Sequence, residues 1–301
     1  MAFKKAVKYG SRLRMAIAGP AGAGKTWTSL MLATSLAEGQ GVALIDTEHG
    51  SASKYADIFE FDTMELDTFH PQTYIDAIHE AEEAGYAVLV IDSLSHAWSG
   101  TGGLLEEKEK IAKQKYNGNS FSAWNDATQL QNKLVNAILS SKLHIICTVR
   151  SKMEYIQEKD DQTRRSTVRK VGLAPVQRDD LPYEFDLFTT MEIDNTLIID
   201  KSRCSVLAGQ VIVKPDSHVA EILKAWLSGA PAPARPIGKD RLNELYAKGK
   251  RASLFANTEE FLVFCQLALG LDILVDLKAL TDIQANDIDA EIVQRASQQA
   301  S

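Results

Sequence analysis

Gly19-Pro20-Ala21-Gly22-Ala23-Gly24-Lys25-Thr26 decides the fold. The stretch satisfies G-x-x-x-x-G-K-[ST] at every fixed position. The apolar run Leu13–Ala18 before it reads as a strand, and Lys25–Glu38 after it has helical spacing. Glycines in such a turn let successive backbone N–H groups point inward as a concave anion nest. The N-terminus of the following helix adds its positive dipole end. In that geometry Lys25 reaches the β- and γ-phosphates of a nucleoside triphosphate, and the Thr26 hydroxyl ligates Mg²⁺. The expected phosphate-binding set is Gly19, Pro20, Ala21, Gly22, Ala23, Gly24, Lys25 and Thr26, with ATP and Mg²⁺ as cofactors. Trp27 follows directly and packs either in the core or against the edge of a base.

Outward from this loop, short apolar runs alternate with helical patterns. Val42–Ile45, Phe61–Leu66, Ala87–Ile91 and His144–Val149 read as strands. Pro71–Ala84 and Ala123–Leu139 read as helices, Pro71 suiting a first helical position. Ala87–Ile91 is continuously apolar, as in a strand covered on both faces. Alternation of this kind predicts an α/β fold with a mainly parallel sheet. Past residue 185 the pattern changes to a hairpin, Leu187–Ile193 and Thr196–Asp200 flanking Asp194-Asn195, then a helix over Val219–Leu227. Residues 229–236 hold Pro231, Pro233 and Pro236 and read as an extended linker. Residues 237–301 show helical periodicity at Leu242, Leu245, Phe261, Phe264, Leu267, Ile288 and Ile292. The expected division is an ATPase domain over 1–228 with a basic arm at 1–14, a linker at 229–236, and a small all-helical domain over 237–301.

Asp92 ends the strand Ala87–Ile91, where a carboxylate can hold Mg²⁺ facing the phosphate loop. The next residue is Ser93, so a group that orients or deprotonates water must come from elsewhere. Strand Val42–Ile45 ends in Asp46-Thr47-Glu48-His49. A phosphate loop, then strand–Asp-x-Glu-His, then strand–Asp-Ser resembles the RecA-type ATPase core. The resemblance makes Glu48 the catalytic carboxylate beside Lys25, and Asp92 the Mg²⁺ residue with Thr26. The alternative for Glu48 is a solvated loop acid. The absence of Glu after Asp92 disfavours the AAA+ arrangement, in which that Glu follows directly. AGPAGAGKTWTS, LIDTEHGSASKYAD and VLVIDSLSHAW, in order over roughly residues 10–215, are most similar to phage-encoded ATP-binding proteins with a RecA-like core. That group includes single-strand annealing proteins. The resemblance implies ATP hydrolysis coupled to single-stranded DNA in phage or prophage recombination. It also implies a homo-oligomer with nucleotide near a subunit interface.

RecA strand-exchange proteins carry a Gln at the end of the strand that here reads His144–Val149. This chain offers Thr148, placed to bond toward the γ-phosphate, and Arg150, placed to sense its charge, with Lys152 beyond. For the two basic residues the alternative is surface solvation. In RecA-like proteins the loops after the equivalent strands face DNA, here residues 100–122 and 151–178. Arg164, Arg165, Arg169, Lys170 and Arg178 give residues 162–178 a charge of +5 with no acid. With Lys152, the first four of these are the nucleic-acid candidates. Tyr116, Phe121 and Tyr155 are the few aromatic stacking partners. Arg178 or Lys170 is an alternative contact to a neighbouring subunit's nucleotide. Lys4, Lys5, Lys8, Arg12 and Arg14 give the basic arm +5, and it either binds nucleic acid, docks on a neighbour or frays.

The chain's net charge of -7 excludes a uniformly basic nucleic-acid binder. Eight acids against two bases over residues 257–301 point to a protein partner, or to competition with DNA for the basic segments. An ATP-dependent protein-interaction module that never touches nucleic acid is the rival reading. A small-molecule kinase leaves the basic segments unexplained. The six histidines form no zinc-like pair with a cysteine. Three scattered cysteines argue against a disulfide framework and fit a reducing bacterial cytoplasm. No apolar run approaches the ~20 residues that span a bilayer, and Met15–Ala18 is too short for a signal-peptide core.

Overall fold

The computed structural model describes residues 11–159, 166–230, 237–271, 276–277 and 280–299. Lys4, Lys5, Lys8, Arg164, Arg165 and the prolines of the linker lie outside the described residues. The chain divides into two compact units, Met1–Ala232 and Pro233–Ser301.

In the first unit the order is β1 (Arg14–Gly19), α1 (Lys25–Ala37), β2 (Val42–Asp46), β3 (Asp62–Glu65), α2 (Pro71–Glu83), β4 (Val88–Asp92), α3 (Ser95–Ser99), α4 (Leu104–Lys115), α5 (Ser120–Ser140), β5 (His144–Lys159), β6 (Ser166–Pro175), α6 (Leu181–Glu184), β7 (Leu187–Met191), β8 (Thr196–Ser202), β9 (Val211–Val213) and α7 (Ser217–Ser228). The sheet runs β3-β2-β4-β5-β1-β7-β8-β9. It is parallel from β3 through β7, and β8 and β9 add antiparallel. Every residue of β1, β2 and β4 is buried, which matches their unbroken apolar runs. One face packs Met15, Ile17, Leu44 and Leu197 under α1 and α7. The other packs Ala16, Ile45, Leu89 and Phe188 under α2 and α5. This is the α/β architecture of a P-loop nucleotide-binding fold.

Caps explain where the helices begin. The His70 side chain caps α2, Asn119 caps α5 and Asp216 caps α7, each accepting from a first-turn N–H. In α1 the cap position is Gly24, left-handed at φ 88°, and no side chain caps the helix. Its N-terminus is left facing the phosphate loop.

Three expectations change. Residues 100–122, expected as a loop, contain α4, and Phe121 stands 87% exposed in the first turn of α5. The residues Leu104–Lys115 are rich in Lys, Glu and Gln, good helix formers. Residues 151–178, also expected as a loop, are mostly a hairpin. β5 continues past the sheet and pairs antiparallel with β6 from Ser151↔Pro175 to Lys159↔Ser166. The charges there obscure residues that favour strands, Tyr155, Ile156, Thr167, Val168 and Val171. Arg14 does not belong to a basic arm: it is buried in β1. Its guanidinium donates to the carbonyls of Leu13 (2.9 Å), Leu143 (2.6 Å), Leu139 (3.2 Å) and Ser141, closing the C-terminal end of α5.

The second unit holds α8 (Lys239–Arg251), α9 (Thr258–Ala268) and α10 (Asp282–Gln299). Leu245, Phe255, Phe261, Phe264, Ile288 and Ile292 form its own core. Gly249 is required there, because a Cβ would lie 2.2 Å from the Phe255 ring. Leu267, in the apolar periodicity, is 62% exposed, as the third helical face of α9 carries no core contact for it. Among the described residues no helix is long and apolar enough to cross a membrane. Cys147, Cys204 and Cys265 are buried and unbonded.

Candidate nucleotide site

The C-terminal ends of β1, β2, β4 and β5 converge, as ligand-bearing edges of parallel sheets do. The register sets Asp46 beside Asp92 and Gly19 beside Arg150. The loop from Gly19 to Gly24 turns through positive φ at Gly22 (80°) and Gly24 (88°). Lys25 folds over it, Nζ donating to the Pro20 carbonyl at 2.8 Å. Burial lowers the Lys25 pKa, against the opposing pull of Asp92 and Glu48.

Asp92 is 3% exposed at the end of β4. Its Oδ2 accepts from Thr26 Oγ1 at 2.6 Å, and its Oδ1 accepts from Thr148 Oγ1. Burial raises its pKa, while these hydrogen bonds pull the other way. The Thr26–Asp92 oxygen pair fits Mg²⁺, a hard cation that takes one or two protein oxygens and completes its shell with phosphate and water. Among the described residues no group of three or more His, Cys, Asp or Glu forms a denser cation site. Thr148 was expected to point at a γ-phosphate. It is fully buried and its proton goes to Asp92, so its place is to orient that carboxylate.

Glu48 lies one residue past the Asp46-Thr47 pair that fixes it. Asp46 is buried; its Oδ1 accepts from the Glu48 N–H at 2.6 Å and its Oδ2 from the Ala52 N–H at 3.1 Å. Thr47 ties this segment to β4: its N–H donates to the Asp92 carbonyl at 2.8 Å, and its Oγ1 accepts from the Ser93 N–H at 2.8 Å. The Asp92–Ser93 peptide is cis. Thr47 Oγ1 also meets His96 Nδ1 at 2.6 Å, and the His96 ring stacks on Phe69. Burial, then Arg150, lowers the His96 pKa.

The Glu48 carboxylate pairs with Arg150 Nε at 2.9 Å. Arg150 is held by its backbone, its N–H donating to Ser95 Oγ at 2.8 Å and its carbonyl accepting from the Val176 N–H at 2.7 Å. The root of the β5–β6 hairpin is therefore one residue from the catalytic candidate's partner. Lys152 is exposed and shares a strand face with Arg150. Arg169 and Lys170 lie in β6 opposite Ile156 and Tyr155, and their side chains lie outside the described residues. Arg178 is paired with Asp180 at 3.1 Å.

Thus Gly19 through Thr26, Glu48, Asp92, Thr148 and Arg150 come together. Trp27 stands 41% exposed at the start of α1, edge-on to Tyr55 and Phe59. Sequence reasoning missed the parts played by Asp46, Thr47 and His96. Only Asp46 had a signal, a carboxylate at a strand end.

A family model described as an AAA domain matches residues 11–220. Domains of this family are nucleotide-binding ATPases. In this chain Ser93 rather than Glu follows Asp92. No curated protein matches the sequence.

Proposed function

The chain belongs to the AAA domain family, and on that premise we propose that it is a Mg²⁺-dependent ATPase acting on single-stranded DNA. The observation that carries the reading is the unbroken path of β5. One strand delivers Thr148 to Asp92 and Arg150 to Glu48, then leaves the sheet as half of a hairpin bearing Lys152, Arg169 and Lys170.

Lys25 exchanges the Pro20 carbonyl for the β- and γ-phosphates, and the loop N–H groups take the remaining oxygens. Thr26 and Asp92 would hold Mg²⁺, which neutralises charge on those phosphates. Glu48 leaves Arg150, orients the attacking water and accepts its proton. Arg150, released, faces the charge that builds on the γ-phosphoryl group. Basic hairpin positions contact the phosphates of a single strand. The resemblance to phage annealing ATPases supports a role in recombination or strand annealing, in a homo-oligomer.

ATP turnover with and without single-stranded DNA, with Lys25→Ala as the blank, tests this. Stimulation that weakens as salt rises is the expected result. Turnover indifferent to DNA favours a nucleotide-dependent module that recruits a protein. That second reading rests on the helical unit, acidic over residues 257–301, which has its own core and exposes Val263, Leu267, Leu271 and Val293.

A further inference from the structure

We propose that Asn195 reads the base of the bound nucleotide and selects adenine; the inference rests on the ATPase reading above.

A cavity of about 310 Å³ opens beside the phosphate loop, between Gly24, Trp27, Met191, Asn195, Lys214 and Pro215. Its size sits at the small end of ligand pockets, room for one nucleoside and no second ligand. Gly24 belongs both to the phosphate loop and to this wall, so a nucleotide whose phosphates fill the loop meets the cavity next. Trp27 supplies an aromatic wall, held in place by Tyr55 at 5.7 Å and Phe59 at 5.0 Å between ring centres. A base stacks on such a surface whatever its identity. Selection among bases needs polar groups.

Asn195 provides them. It occupies the β7–β8 turn at φ 64°, a left-handed conformation that Asn tolerates better than most residues. Its N–H donates to the Glu192 carbonyl at 3.0 Å, and its carbonyl accepts from the Lys214 N–H at 3.0 Å. Its Nδ2 donates to the Ala23 carbonyl at 3.0 Å. That carbonyl can only accept, so the bond fixes which end of the amide faces the loop. The approach is close: a Cβ on residue 24 would lie 2.8 Å from Nδ2. Asn195 Oδ1 and the second N–H have no partner among the described residues. An acceptor beside a donor on one amide complements the amino group and adjacent ring nitrogen of adenine. Guanine presents two acceptors, O6 and N7, on the edge where adenine presents its amino group and N7; on its other edge O6 and N1–H match the amide, but the N2 amino group beside them adds a further donor. Among the described residues no Asp or Glu lines the cavity to accept from that amino group. Lys214 favours guanine's acceptors, and it is exposed at the rim.

The test is the affinity of the full chain for ATP, GTP and inorganic tripolyphosphate, each with Mg²⁺, by calorimetry. The wild type should prefer ATP over GTP by about tenfold or more, the size of one bidentate base contact. Asn195→Gly, which keeps the turn's backbone conformation, should bring the ratio near one; loss of the Ala23 contact should weaken tripolyphosphate and both nucleotides alike. Asn195→Asp, an acceptor only, should turn the preference towards GTP. Equal binding of ATP and GTP by the wild type, or an ATP preference that survives Asn195→Gly, overturns the assignment. Tripolyphosphate binding as tightly as ATP removes the base seat and leaves the phosphate loop standing. Binding of neither defeats the ATPase reading itself, and the base seat with it.

Discussion

Replacing Glu48 by Gln separates chemistry from architecture, because the main chain holds the residue. The Glu48 N–H is held by Asp46 at 2.6 Å and the neighbouring Thr47 N–H by the Asp92 carbonyl at 2.8 Å. Neither bond uses the Glu48 side chain, so Gln should occupy the same place. The bond that weakens is the ion pair with Arg150, whose side chains are 31% and 48% exposed. Pairs at that exposure contribute under ~1 kcal/mol. A domain of this size then loses no more than about 2–4 °C of melting temperature. If Glu48 is the base, its loss costs about 10²–10⁴ in rate, roughly 3–5 kcal/mol of barrier. The two magnitudes do not overlap. Single-turnover ATP hydrolysis, ATP affinity and a thermal melt on Glu48→Gln should show turnover down at least ~100-fold. The affinity should stay within a few-fold and the melt within the range above. Turnover within tenfold of wild type would refute the assignment, since no structural loss is large enough to be hidden beneath it.

Lys25→Ala should weaken ATP binding about 10- to 100-fold, one charge-assisted phosphate contact, with the melt unchanged in the absence of nucleotide. Thr148→Val keeps the shape but removes a donor from buried Asp92; it should cost about 1–3 kcal/mol in urea unfolding and raise the Mg²⁺ concentration needed for turnover. His144 accepts from the Leu13 N–H at 3.0 Å, and burial, with Arg12 and Arg14 nearby, lowers its pKa from 6.5 to about 4. Because the unfolded chain takes up this proton first, stability falls as pH drops from about 6.5 to about 4, by roughly 2–3 kcal/mol from this residue. Asn at position 144 should flatten that part of the pH profile relative to wild type; parallel profiles would assign the slope to other groups.

The phosphate loop was legible because eight contiguous residues supply its whole chemistry, with a strand before and a helix after. That Glu48 and Asp92 lie beside the loop was legible for a weaker reason. Each ends or follows a buried strand, and the pairing of β2 with β4 brings Asp46 level with Asp92. The hairpin was not legible, because charges dominate the segment and the pairing of β5 with β6 leaves no periodic mark in it. Arg14 misled for a different reason: the last residue of a basic run looks exposed until the carbonyls of α5's end are known. Asn195 is the sharpest case. Its contact with Ala23 spans 172 positions. It exists only because β7 lies against β1, with Thr190 beside Ala18, so that the following turn folds back over the loop. Contiguous residues can announce where phosphates bind, since backbone N–H groups of one turn suffice. The base has to be read by side chains brought in by sheet order, and sheet order is a property of the folded chain. Discrimination among nucleotides is therefore written in this protein's topology, and a substitution in the β7–β8 turn should alter it while leaving every residue of the motif untouched.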